Sequence, residues 1–325
     1  MAKSQSHLLN KSLSAIAIIN SMRSGGNMLN RLLDSHPQIL TNHSETFFGV
    51  FSDTSEKSKY QIRKFKKIYS KKKNIKNIFE TLIENDFNHL KASKNGWIKT
   101  NYNKPLNYKY NQSLHFKNFQ KKLKNNSNYG YREILDIYTI SFFESFSNLK
   151  TSGKKYFNTY WPNFSLYKIN LKNFNKIYPD GYMIFIIRDP LQWAASCKKR
   201  RPNQFSMKYM RTYYERPILN CLNYIKLKNK ILLVDFKDLI FNTEKIMKLL
   251  LKNLKLNGKH PTLTIPTFQG KRIIGNSIHS DAQTYSINKL VTEKYKSELT
   301  YKEKNNILKK FQKTHNEILK YKICI

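Results

Sequence analysis

The chain has 325 residues, 40% hydrophobic and 14% aromatic, enough for one large α/β domain with a real core. Its formal net charge of +38 would attract polyanions, but the Lys is spread along the whole chain beside abundant Asn, Ile, Tyr and Phe, as AT-rich coding gives, and no dedicated nucleic-acid-binding module stands out. No apolar run nears the roughly 18 residues of a membrane span, and Cys197, Cys221 and Cys324 form no C-x-x-C pair, which argues against a disulfide framework or a zinc site.

Residues 1–13 read as a polar lead-in. Ala15 to Ile19 is an unbroken small-apolar run rich in Ile, the pattern of a strand buried on both faces of a parallel sheet. It runs straight into a turn, Ser24-Gly25-Gly26, so it reads as the first strand and not as a signal peptide. The expected location is therefore the cytoplasm or the cytosolic face of a membrane. Met28, Leu29, Leu32 and Leu33 then recur at helical spacing. A strand, a glycine turn and a helix leave backbone N–H groups at a helix N-terminus, a place that favours a phosphate or another oxyanion. Arg23 adds a fixed charge with a planar donor fork. Neither G-x-x-x-x-G-K-[ST] nor G-x-G-x-x-G is present.

Pro37 ends the helix after Asp34-Ser35-His36, and His36 reads as a turn residue bonded to backbone. Leu40 to Phe48 reads as a connection lying close to the glycine turn. Residues 57–91 predict two amphipathic helices, about Tyr60 to Lys73 and Ile75 to Leu90. Residues 95–128 read as irregular, either a lid beside the site or a Lys/Asn-rich surface excursion. Helices are predicted over Tyr131 to Leu149 and Ser165 to Ile177, with a short strand at Tyr156 to Trp161 between them.

Tyr182 to Ile187 is a second continuous apolar strand, with Arg188 at its C-terminal end. Asp189-Pro190 then starts a helix, a capping Asp followed by Pro at the first position, and Ser196 lies about two turns in. Ligands of open α/β sheets bind at the carboxyl ends of the strands. Arg23 and Arg188 would both be there, suited to a ligand with two anionic groups. Ile231 to Asp235 is a further apolar strand, followed by a helix at about Asn242 to Leu254, and Tyr301 to Leu319 is a C-terminal helix whose Lys residues form a solvated face.

Two of these stretches resemble the sulfotransferases that use 3′-phosphoadenosine 5′-phosphosulfate (PAPS). Arg23-Ser24-Gly25-Gly26-Asn27 is similar to the family's 5′-phosphosulfate loop, where Thr-Thr usually stands at Gly26-Asn27. Arg188-Asp189-Pro190 through Ser196 is similar to its 3′-phosphate segment. Leu32 to Pro37, Tyr131 to Leu135, Phe236-Lys237-Asp238-Leu239 and the basic stretch Pro266 to Ser277 also look like the family. The resemblance implies a three-layer α/β sandwich with a central parallel sheet, resembling the P-loop nucleotide-binding fold. It implies one domain over 1–325, with a helical or lid insertion at about 50–128 and a C-terminal helix at about 300–320.

The resemblance also implies roles. PAPS would be the sulfuryl donor, with no metal. Arg23, Ser24, Gly25, Gly26, Asn27 and Met28 would bind the 5′ end, Arg188 and Ser196 would hold the 3′-phosphate, and Lys271 and Arg272 would cover the nucleotide. Glu45 occupies the place of the family's catalytic base and is the only acidic residue between Asp34 and Asp53, with His43 as its rival. Arg23 and the loop would stabilise the leaving phosphate. The family's Lys before a Pro is not matched at Thr159-Tyr160-Trp161-Pro162, and Lys154 and Lys155 are out of register. The acceptor would be a hydroxyl or amine, with a carbohydrate as the family-level expectation. A small-molecule kinase on a related fold and a non-catalytic polyanion or nucleic-acid binder are the alternatives. The first predicts dependence on magnesium and ATP, the second salt-sensitive binding to any polyanion.

Overall fold

A computed structural model of the chain describes residues 13–34, 36–45, 74–86, 111–124, 129–146, 151–227, 230–258, 263–268, 270–272, 287, 292–293 and 295–323. The helix predicted at about 60–73 lies outside these residues. The elements run β1 (Ser14–Ile18), α1 (Gly26–Leu33), β2 (Ile39–Glu45), α2 (Ile75–Asp86), α3 (Gln112–Lys124), α4 (Tyr131–Glu144) and β3 (Tyr156–Tyr160). They continue through α5 (Lys168–Ile177), β4 (Tyr182–Ile187), α6 (Pro190–Arg200), α7 (Arg216–Lys226), β5 (Ile231–Asp235), α8 (Phe236–Phe241) and α9 (Thr243–Asn253). A two-stranded hairpin, β6 (Thr267–Phe268) and β7 (Lys271–Arg272), and the long helix α10 (Tyr301–Leu319) follow.

Five strands form one all-parallel sheet in the order β2-β3-β1-β4-β5. β1 is central and buried along its whole length, which is why its sequence is apolar on both faces. Successive residues alternate between the two faces. Ala15, Ala17 and Ile19 join a core cluster with α2 to α7 and α10. Ile16 and Ile18 join the other cluster, with α1, α8 and α9. The sheet therefore lies between two helical layers, the expected three-layer α/β sandwich.

The chain builds β2 and β3 on one side of β1, then crosses to β4 on the other. Strand order thus reverses between β1 and β4, and that reversal opens a crevice at their carboxyl ends.

Several expectations are corrected. Leu40 to Phe48 is not a bare connection, because Ile39–Glu45 is edge strand β2 with a register shift between Thr41 and Glu45. An edge strand pairs on one side only, so the polar run Asn42-His43-Ser44-Glu45 is tolerated there. Residues 112–124 form a helix instead of irregular chain, with His115, Phe119 and Leu123 buried against α2 and α4. The segment predicted as one helix from Ser165 starts as a 3₁₀ turn, Phe164–Leu166, and restarts at Lys168. The helix predicted at about 242–254 is α9, preceded by the separate short helix α8. His36 bonds backbone as expected: Nε2–H donates to the Asn257 carbonyl (3.0 Å) and Nδ1 accepts from Gln38 N–H (3.2 Å). Among the described residues, no helix is long and apolar enough to cross a membrane.

Candidate functional site

The turn after β1 is held in an unusual conformation by its neighbours. Arg23 (φ 65) and Gly25 (φ 94) both take left-handed backbone angles, which a non-glycine residue adopts only under constraint. The segment after β3 supplies that constraint. Trp161 N–H donates to the Ile18 carbonyl, Asn163 N–H donates to the Asn20 carbonyl, and Asn163 Oδ1 accepts from Met22 N–H at 3.3 Å. From α6, Trp193 Nε1–H donates to the Met22 carbonyl at 2.7 Å.

Gly25 caps α1 without any side-chain hydrogen bond, and the first intrahelical bond in its first turn runs from Leu29 N–H to the Gly25 carbonyl. The N–H groups of Gly26, Asn27 and Met28 therefore have no intrahelical acceptor. Free N–H groups at a helix start are a place that suits an anion.

Both glycines are sterically required. A Cβ at Gly25 would sit 2.5 Å from the Phe236 ring. A Cβ at Gly26 would collide with Asn20 Oδ1 and the Tyr160 ring. Asn20 is fully buried. The place taken by Thr in the resembling loop is filled here by Asn20 and Tyr160. Gly26→Ala is expected to destabilise the protein by about 1–3 kcal/mol through overpacking. Asn20→Ala in the same chain should return part of it in thermal denaturation. An equal loss in both backgrounds would contradict the contact.

The two arginine motifs meet. Arg23 Nε–H donates to Ser196 Oγ at 3.2 Å, and Arg188 Nη1–H donates to the Arg23 carbonyl at 3.1 Å. Asp189 caps α6 as its sequence predicts, accepting from Leu191 and Gln192 N–H. The Arg188 guanidinium lies 4.6 Å from the centroid of the Phe236 ring. Burial pushes its pKa down to about 10, and the like charge of Arg23 adds to that. It stays cationic at neutral pH. A bound anion would relieve the repulsion between the two cations.

Glu45 lies opposite Tyr160 in the register of β2 and β3, at the same end of the sheet as Arg23 and Arg188. Two strand spacings, about 10 Å, separate β2 from β1. The Glu45 and His43 side chains lie outside the described ones. Lys154 cannot substitute for the unmatched Lys, because its Nζ donates to the Ile39 carbonyl at the opposite, N-terminal end of the sheet.

The hairpin β6–β7 is fixed at the far end of α1. Thr267 Oγ1–H and Gly270 N–H both donate to Asp34 Oδ2 (2.8 and 3.0 Å). Arg272 is exposed there, and the Lys271 side chain lies outside the described ones. Arg23, Ser196 and Arg188 are thus joined by hydrogen bonds, while the hairpin attaches about one helix length, roughly 12 Å, away.

Sequence reasoning missed Asn163, Trp193 and Phe236 as supports of the loop. Asn163 follows Pro162 and takes φ 68, an Asn-after-Pro turn that could have been read. The helical turn Met207–Met210 and the π-helical turn Arg211–Glu215 were also not foreseen.

A model of a family described as "Sulfotransferase family" matches residues 15–259. No curated protein matches the chain. Among solved structures, the sulfotransferase domain from the curacin biosynthetic pathway is similar at TM-score 0.54 and 13% identity, covering 93% of this chain and 98% of that one. The sulfotransferase domain from the Synechococcus PCC 7002 olefin synthase is similar at TM-score 0.50 and 16% identity, covering 93% of this chain and 96% of that one. At these identities the likeness shows a shared fold.

Proposed function

The chain belongs to the sulfotransferase family, and from that premise we propose that it transfers a sulfuryl group from PAPS to an acceptor hydroxyl or amine. The observation that carries the reading is the meeting of Arg23, Ser196 and Arg188 at the switch between β1 and β4. Two cations and an uncapped helix start suit a ligand with two anionic groups. The donor set fits such a nucleotide: N–H groups and Arg forks, all donors, with glycines where a side chain would collide.

When bound, the nucleotide supplies the sulfuryl group and leaves as 3′-phosphoadenosine 5′-phosphate (PAP). Glu45 takes the proton of the acceptor. Arg23 and the N–H groups of Gly25, Gly26, Asn27 and Met28 face the 5′ end and offset the charge that develops there. Fixed donors of this kind need no reorganisation during reaction. Ser24 is buried within the turn. Arg188 and Ser196 hold the 3′-phosphate, and Arg23, bonded to Ser196, borders both anionic groups. Lys271 and Arg272 cover the nucleotide from the hairpin. A carbohydrate is the acceptor class we favour. No side chain in this account requires a metal.

Release of PAP from PAPS, measured with a panel of hydroxyl and amine acceptors, tests the reading. Acceptor-dependent release without added metal is the expected result. Absence of release with every acceptor, together with magnesium-dependent turnover of ATP, would replace it with a kinase.

A further inference from the structure

Helix α10 follows the residues that the family model matches, yet it connects to Arg188 through Tyr214. Its start is fixed by a capping box, with Thr300 Oγ accepting from Glu303 N–H and Glu303 accepting from Thr300 N–H. The same carboxylate receives Lys198 Nζ of α6 at 2.8 Å, so α10 is tied to the helix that bears Ser196. About three turns later comes His315, 5% exposed.

The His315 ring meets Tyr214 in the π-helical turn. Nδ1 lies 3.1 Å from the Tyr214 hydroxyl, and that hydroxyl donates to the Arg188 carbonyl at 3.0 Å. A tyrosine hydroxyl has one hydrogen. With that hydrogen on the Arg188 carbonyl, Nδ1 must carry its own and donate it to the Tyr214 oxygen. Burial lowers the His315 pKa, with Asp189 opposing, which favours a neutral ring. The Tyr214 ring packs at 5.2 Å from Trp193, the residue that holds the Met22 carbonyl. A π-helical turn is a wide, costly piece of backbone, found often at functional sites.

Arg188 is therefore held at both ends. Tyr214 fixes the carbonyl of its own residue, and Phe236 and the Arg23 carbonyl hold its guanidinium. We propose that His315 and Tyr214 are positioning residues for Arg188, through which the C-terminal helix sets affinity for the 3′-phosphate of the nucleotide. This rests on the sulfuryl-transfer reading above.

The test is calorimetric titration of the full chain with PAP and with adenosine 5′-phosphate, which lacks the 3′-phosphate. Tyr214→Phe keeps the ring and removes the hydroxyl. His315→Leu removes the donor, and His315→Asn places an amide N–H where Nδ1–H stands. Tyr214→Phe and His315→Leu should bind PAP about tenfold more weakly, with affinity for adenosine 5′-phosphate unchanged. His315→Asn should restore most of the loss. Wild-type preference for PAP with unaltered variants would overturn the positioning role alone. Equal loss for both nucleotides would reduce it to a structural one. A wild type that does not distinguish the two nucleotides would overturn the nucleotide reading and this inference with it.

Discussion

Arg188→Ala should weaken binding of PAP by about two to three orders of magnitude, the loss expected when one partner of a desolvated, hydrogen-bonded charge pair is removed. The fold packs this guanidinium against the Phe236 ring, partly shielded from water, and beside Arg23, and burial and the like charge lower its pKa to about 10. A phosphate placed there meets a cation that is partly shielded from water, which strengthens the interaction. Arg188→Lys keeps the charge and loses the planar fork, so an intermediate affinity is expected. Calorimetry gives both values, and thermal denaturation separates a lost contact from a lost fold, since the substitution also removes the Phe236 and Arg23 contacts. Unchanged affinity in Arg188→Ala would remove this residue from the nucleotide site.

Glu45→Gln should cut turnover by about 10²–10⁴-fold, the usual worth of a positioned general base, and leave PAP affinity as it is. The argument is one of place. Glu45 ends β2 opposite Tyr160, and the Tyr160 ring borders Gly26 at the start of α1. The backbone of Glu45 thus ends at the sheet edge beside the start of α1, where the proposed acceptor would lie. Donor-to-PAP conversion in the presence of a working acceptor measures the effect. Undiminished turnover would move the base to His43, and His43→Gln would then be the decisive variant.

Much of the site was legible because strong local chemistry marks it. Two buried apolar strands, each ending at an Arg, and an Asp-Pro helix start need no tertiary information to be read, and the structure joins them through Arg23, Ser196 and Arg188. The central sheet followed from the same runs. Edge strand β2 did not, because an edge strand needs no continuous apolar run and its residues 42–45 are polar. Helix α3 was hidden for a related reason: four Lys and two Gln fill much of it, and only His115, Phe119 and Leu123 carry its buried stripe.

The supports of Arg188 were beyond reach of the sequence. Tyr214 and His315 are separated by 101 positions, and nothing local announces that one hydroxyl will join them to the Arg188 carbonyl. The glycine at position 26 shows the same limit. As a sequence it looks like a loss from the resembling loop. In the structure it leaves room for Asn20 and Tyr160, which occupy that space. The hairpin is a third case. Its basic residues suggest a cover for the nucleotide, while its anchor is Asp34 at the other end of α1. Covering the site from there requires reach by side chains, not by the strands themselves.

Calorimetric titration of the wild-type chain with PAP, with ADP as control at moderate salt, tests the central claim most directly. Both ligands are adenine nucleotides with two phosphates, and only PAP carries one on the 3′ oxygen. The meeting of two arginines and an uncapped helix start predicts tight, saturable binding of PAP and weak binding of ADP. Equal, weak and salt-sensitive binding of both would contradict it, and the basic charge of the chain would then be the whole of its affinity for anions.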